Sequence, residues 1–167
     1  MKFATIATHH ATSQPALVIE DRVHTLPFPD MYAVIAAGAT EAASKASKDS
    51  LSIDEVKFLS PLKPNTLRDG YAFEQHVLTA NKNRGRDVPQ EWYEFPVFYF
   101  TNPNAVFGHD DEIPYPHYTK AMDYELEVAI VIGKGGMNIK AEDAEQHIFG
   151  YTIFNDWSAR DVQRKEM

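Results

Sequence analysis

The sequence predicts a mixed α/β fold that is rich in β-structure. Three observations carry this expectation. Short apolar or alternating runs of strand length recur along the chain. Four other segments read as helical. Gly, Pro and Asp punctuate the boundaries between them. The chain has 167 residues, 44% hydrophobic and 24% charged, an ordinary globular balance sufficient for one domain or two small ones.

The elements follow in order. "KFATIATH" alternates as a strand, and "PALVIEDRVHTLP" reads as two short strands around a turn at Glu20-Asp21. "MYAVIAAGATEAASKASKDS" is alanine-rich and helical in its first half. "LSPLKPNTLRDG" has two prolines and no periodicity, so it reads as a linker or crossing loop, with a domain boundary near Lys63. "DGYAFEQHVLTANKNRG" predicts a helix with Asp69 near its start, Gly85 after its end, and an apolar stripe of Ala72, Phe73, Val77 and Ala80 that includes His76. "EFPVFYFTNPNAVFG" predicts a buried strand and a turn, "HDDEIPYPHY" an acidic loop. "YELEVAIVIG" is a strand, "KGG" a turn, "AEDAEQHIF" a short helical segment and "GYTIFND" a strand ending on Asp156. "WSARDVQRKEM" starts a helix, with Ser158 and Asp161 at capping-box spacing.

Composition narrows the function classes. With no cysteine there is no disulfide frame, thiolate metal site or cysteine nucleophile. The net charge of −8 and scattered basic residues argue against a nucleic-acid partner. No apolar run is long enough to span a bilayer, and the N-terminus lacks a signal-peptide pattern, so a cytoplasmic protein without a membrane partner is expected.

Chemistry concentrates in the carboxylates. Glu125 and Glu127 are two apart in a strand, so they share a face with Asp123, while Leu126, Val128 and Ile130 share the other. Stacked like charges are costly unless paired or bound to a cation, and hard divalent cations want several oxygens. From spacing alone, the same pattern fits a strand with one wet face. Asp156 ends a later strand and Asp69 starts a helix. His76 fits a general base, because imidazole titrates near neutrality, and it equally fits a histidine satisfied within a core. His9-His10 reads as surface. "GKGG" at 133–136 reads as a hairpin turn, lacking the spacing of a phosphate loop.

"DYELEVAIVIGKGG" followed by "IFGYTIFNDWSARDVQ" resembles the core signature of the fumarylacetoacetate hydrolase family, whose members are metal-dependent enzymes that cleave or rearrange keto acids. "DGYAFEQHV" is similar to the catalytic-helix segment of the hydrolase branch, extending the resemblance from about Leu67 to the end of the chain. The resemblance implies the start of a β-sandwich roll: a small N-terminal domain over 1–63 and a catalytic domain over 64–167. It implies Glu125, Glu127 and Asp156 as metal ligands, Asp69 as a fourth, and His76 as the base that activates water. Tyr71 and Gln163 match substrate contacts, and Arg160 matches a residue that braces the site. Arg84 and Arg86 are the nearest candidates for a substrate arginine. The implied cofactor is a divalent cation, Mg²⁺ or Mn²⁺ foremost and Ca²⁺ as the alternative. The implied reaction is hydrolysis of a carbon–carbon bond in an acylpyruvate-type diketo acid, in the breakdown of aromatic compounds, by a homodimer. Decarboxylation, isomerisation or lysis of a related keto acid are its neighbours, as is a fragment without activity. The last alternative is expected because the chain stops at Met167 inside a helix, before the lysine and small-residue turn of the family pattern.

Overall fold

The computed structural model describes residues 1–166, and their contacts divide the chain into two units: Met1–Leu62 with Phe107 onward, and Lys63–Val106. The chain enters the second unit at Lys63 and returns to the first at Phe107.

In the first unit, β1 (Lys2–Ala7), β2 (Gln14–Ile19) and β3 (Arg22–Thr25) form an antiparallel meander. Glu20 adopts φ +53° and closes the two-residue turn that the sequence predicts. Two short strands, β4 (Leu51–Ser52) and β5 (Lys57–Phe58), flank the meander to give the order β4-β3-β2-β1-β5. Period-2 alternation then sorts the side chains. Phe3 and its cross-strand partner Leu17 join one cluster with Leu26, Met31, Val34 and Ala42. Ile6, Ala16 and Val23 form another. Met31, Val34 and Ala42 come from α1 (Met31–Ala37) and α2 (Ala39–Ser44). Asp30 caps α1 by accepting from the Ala33 N–H, and Gly38 at φ +85° breaks the alanine-rich run into two helices.

The same unit holds β8 (Met122–Asp123), β9 (Leu126–Ile132), β10 (Ile148–Asn155), β11 (Ser158–Ala159) and α5 (Arg160–Glu166). β9 and β10 pair antiparallel, with Ile130 opposite Tyr151 and Val128 opposite Ile153. Phe149 of β10 packs against Phe3, ring centroids 5.7 Å apart, and ties this ribbon to the N-terminal core. The connection from β9 to β10 is longer than a tight hairpin and contains a 3-10 helix over Ala141–His147.

The apolar face of β9 does not enter a core: Leu126, Val128, Ile130 and Ile132 are exposed, as are Tyr151 (64%) and Ile153 (78%) of β10. Parity is as expected, with Glu127, Ala129 and Val131 the more buried set. A two-stranded ribbon is a single layer, and no described residue lies over this side to bury it.

In the second unit, β6 (Leu67–Asp69) pairs antiparallel with β7 (Tyr99–Thr101). α3 (Glu74–Asn83) and the one-turn α4 (Glu91–Glu94) lie between them in sequence. α3 ends as the sequence predicts, with Gly85 just beyond it at φ +66°. Its buried side chains are Val77, a member of the predicted stripe, and Asn81; Ala80 is half-buried, but Ala72, Phe73 (76%) and His76 are exposed. The predicted buried strand around residues 95–101 is likewise short and exposed, with Phe98, Tyr99 and Phe100 all facing out. No helix among the described residues is long and apolar enough to cross a membrane.

Candidate metal centre

β9 and the end of β10 set two acids side by side. Glu127 lies on the half-buried face of β9, and Asp156 follows the last residue of β10. The Asp156 N–H donates to the Glu125 carbonyl at 3.0 Å, which fixes the chain just beyond the ladder. A carboxylate oxygen of Glu127 and one of Asp156 lie within 4.8 Å of each other. Two oxygens at that spacing can share a divalent cation, whose ligands sit at about 2.0–2.6 Å. A hard oxygen donor set suits Mg²⁺, Mn²⁺ or Ca²⁺ rather than a thiophilic metal.

Glu125 has a different partner. It precedes β9, and its Oε1 is 2.5 Å from Nη1 of Arg160. Nε of the same guanidinium is 3.0 Å from Oδ2 of Asp123, and Nη1 also donates to Oε1 of Gln163 at 3.2 Å. Burial alone would lower the Arg160 pKa; the hydrogen bonds and charges of Glu125 and Asp123 outweigh it and raise it. The structure therefore gathers Glu125, Arg160 and Gln163 into one hydrogen-bonded cluster and brings Glu127 and Asp156 together beside the ladder.

The predicted Ser158–Asp161 capping box does not form. Ser158 lies in β11, and its hydroxyl donates to the Asp156 carbonyl. Asp161 instead accepts from the Thr119 hydroxyl, at 3.0 Å from the Lys120 N–H, and from its neighbour Val162. Those bonds, the Thr119 hydroxyl first, hold its carboxyl below the ordinary range. The long-range partner Thr119 was not visible in the local pattern that suggested a cap.

The remaining predicted residues lie in the second unit. Asp69 ends β6, half-buried, and accepts from the Tyr99 hydroxyl at 2.9 Å, Tyr99 being its cross-strand partner. Sequence reasoning missed Tyr99; the signal was a lone tyrosine two residues from Val97 within a run of phenylalanines. Tyr71 is 48% exposed in the segment between β6 and α3, and His76 stands on the first turn of α3. The two candidate arginines separate. Arg86 donates through Nε to Asn81 at 2.9 Å and closes the end of α3. Arg84, the C-cap, is exposed and makes no side-chain hydrogen bond or ion pair among the described residues.

Comparison with known proteins places the chain. The model of the fumarylacetoacetate (FAA) hydrolase C-terminal region matches residues 65–167. The oxaloacetate tautomerase YisK of Bacillus subtilis (strain 168) is 39% identical over 118 residues, 68% of this chain and 37% of that protein. The fumarylacetoacetase of Oryza sativa subsp. japonica is 39% identical over 134 residues, 68% of this chain and 31% of that protein. Among solved structures, a fumarylacetoacetate hydrolase from psychrophilic Exiguobacterium antarcticum superposes with a TM-score of 0.72 at 25% identity, covering 99% of this chain and 59% of that one. A 5-carboxymethyl-2-hydroxymuconate delta-isomerase from Mycobacterium smegmatis gives 0.71 at 25% identity, covering 99% and 58%. The chain thus spans less than half the length of these curated relatives. With the family model covering β6, α3, β7 and both carboxylates beside the β9–β10 ribbon, the chain belongs to the fumarylacetoacetate hydrolase family.

Proposed function

We propose that the chain carries the metal-binding part of a divalent-cation-dependent enzyme that hydrolyses the carbon–carbon bond of an acylpyruvate-type diketo acid. The observation that carries the reading is the approach of Glu127 and Asp156 to within 4.8 Å on the half-buried side of a ribbon. Asp69 and Glu125 complete the ligand set in this reading, Glu125 either sharing its carboxylate between Arg160 and the cation or giving up that ion pair. A cation held there supplies Lewis-acid polarisation of the 2-oxo acid oxygens. His76 takes a proton from water as the water oxygen bonds to the acyl carbonyl carbon. The bond from that carbon to the methylene breaks, its electron pair passes to the leaving 2-oxo acid as an enolate, and the enolate is then protonated. Arg84, with its side chain unengaged, binds the substrate carboxylate, and Tyr71 and Gln163 contact the substrate.

The family model begins at residue 65, which supports a small N-terminal part over 1–63 and a catalytic part over 64–167. The enzyme takes a small keto acid rather than a nucleic acid or a membrane, and works as a homodimer in the cytoplasm. The names of relatives favour a second reading, enol–keto interconversion of a 2-oxo dicarboxylic acid, since oxaloacetate tautomerases from Bacillus subtilis (strain 168) and Xenopus laevis match at 39% and 34% identity. One assay separates the two. With Mg²⁺ and an acylpyruvate, hydrolysis releases pyruvate and a carboxylic acid in equal amounts, and His76→Ala abolishes that release while leaving metal binding intact. Interconversion of the enol without any carboxylic-acid product refutes hydrolysis and leaves the tautomerase.

A further inference from the structure

The segment Gly70–Phe73 joins β6 to α3 and is exposed throughout. Its own residues do little to fix it: Phe73 is the N-cap of α3 and makes no side-chain capping bond. Two neighbouring aromatic side chains hold it instead. Nε1 of Trp92 donates to the Tyr71 carbonyl at 3.2 Å, and the Tyr93 hydroxyl donates to Oε1 of Glu74 at 3.0 Å. The two rings meet edge to face, centroids 4.9 Å apart at 90°, on the single turn of α4. The Glu74 bond, with burial and the Glu74 charge adding to it, raises the Tyr93 pKa. Beyond α4 the chain again runs along the segment: a Cβ at position 70 would lie 2.5 Å from the Val97 carbonyl, so that position requires glycine.

We propose that Trp92 and Tyr93 are positioning residues, a two-point clip that sets Tyr71 and the first turn of α3 with His76. The clip rests on the proposed roles of Tyr71 and His76 for its functional consequence, but not for its existence. The two bonds grip either end of Tyr71–Glu74, one on the backbone and one on a side chain. The clip therefore fixes the position and the rotation of the segment relative to α4. Small misplacements of a base cost rate far more than affinity, so loss of the clip is expected to lower kcat more than it raises KM.

The experiment uses the full chain with Trp92→Phe and Tyr93→Phe, each of which keeps its ring and loses its donor, and Glu74→Gln, which keeps an acceptor. Amide exchange is followed at Ala72, His76 and Val77, whose N–H groups bond to Gly70 and Phe73. Each lost bond should speed exchange at these amides roughly 2- to 10-fold. Exchange in β1–β3 should stay unchanged, and Glu74→Gln should behave as wild type. On an acylpyruvate with Mg²⁺, Trp92→Phe and Tyr93→Phe should lower kcat by a similar factor. Unchanged exchange at the three amides in both variants overturns the clip. Faster exchange with kcat and KM both unchanged overturns its positioning role. A wild-type chain that turns over no acylpyruvate removes the proposed hydrolysis, and exchange alone then decides whether the clip exists.

Discussion

Replacing Glu127 by Gln should take away most of the stability that a divalent cation gives the chain. Two carboxylate oxygens within 4.8 Å repel by about 3.5 kcal/mol at an effective dielectric of about 20 and by about 0.9 kcal/mol in bulk water. A cation shared by both oxygens offsets that repulsion, and at 100 times its dissociation constant it stabilises wild type by about 2.7 kcal/mol. For a chain of this size, each kcal/mol corresponds to about 2–4 °C in Tm, so the wild-type gain is about 5–11 °C. Glu127→Gln should lose most of that gain. The assay is thermal unfolding of both proteins in EDTA and across a Mg²⁺ or Mn²⁺ series, with isothermal titration for affinity. The reasoning fails if Glu127→Gln still gains the wild-type increment on adding metal.

Three further expectations follow from packing and charge. Val23→Ala, at a fully buried position, should cost about 1–2 kcal/mol, whereas Val128→Ala, 63% exposed on β9, should lie within about 0.5 kcal/mol of wild type by denaturant unfolding; equal costs would place the ribbon's apolar face in a core. Asp161 has its folded pKa lowered by Thr119 and the Lys120 N–H, so it stabilises the fold above its unfolded pKa and loses that contribution as pH falls through the folded value; Asp161→Asn should flatten the acid limb of stability against pH, and an unchanged limb would remove Asp161 from it. The bare apolar face of Val128, Ile130, Tyr151 and Ile153 should make the 167-residue chain associate with rising concentration, and Ile153→Lys should suppress the effect in light scattering; a wild-type monomer at all concentrations would contradict it.

Sequence periodicity located the strands well because period 2 is a property of the backbone. It placed Glu127 opposite the apolar set of β9 and ended β10 at Asp156, and the structure has both. It failed where the deciding partner is distant or absent. An apolar run such as "EFPVFYF" states what a strand would bury, not whether a second layer is there to bury it, and Phe98 and Phe100 face outward. The stripe proposed for α3 held at Val77 and failed at its N-terminal end for a related reason. The helix begins at Glu74, after Phe73, so Ala72 and Phe73 lie before it and stay exposed. The groups that Tyr99 and Trp92 hold are tens of residues away in sequence, so no local pattern could name them.

The paired glutamates pose a sharper question, since parity puts Glu125 and Glu127 on one face and does not say what offsets their charge. The structure gives the two different surroundings. Glu125 leaves the ladder one residue before β9 begins, and with Asp123 it meets the guanidinium of Arg160, carried on α5. Glu127 stays in the ladder and faces Asp156, which the Glu125 carbonyl anchors through its N–H. Arg160 thus does for Glu125 what a divalent cation does for a carboxylate pair, and it does so at Oε1. A carboxylate has two oxygens, so a ligand set that includes Glu125 either shares its carboxylate between the guanidinium and the cation or breaks an ion pair of 2.5 Å. Metal affinity should consequently depend on Arg160 as well as on the acids: removing the guanidinium frees Glu125 for the cation but leaves it unbraced.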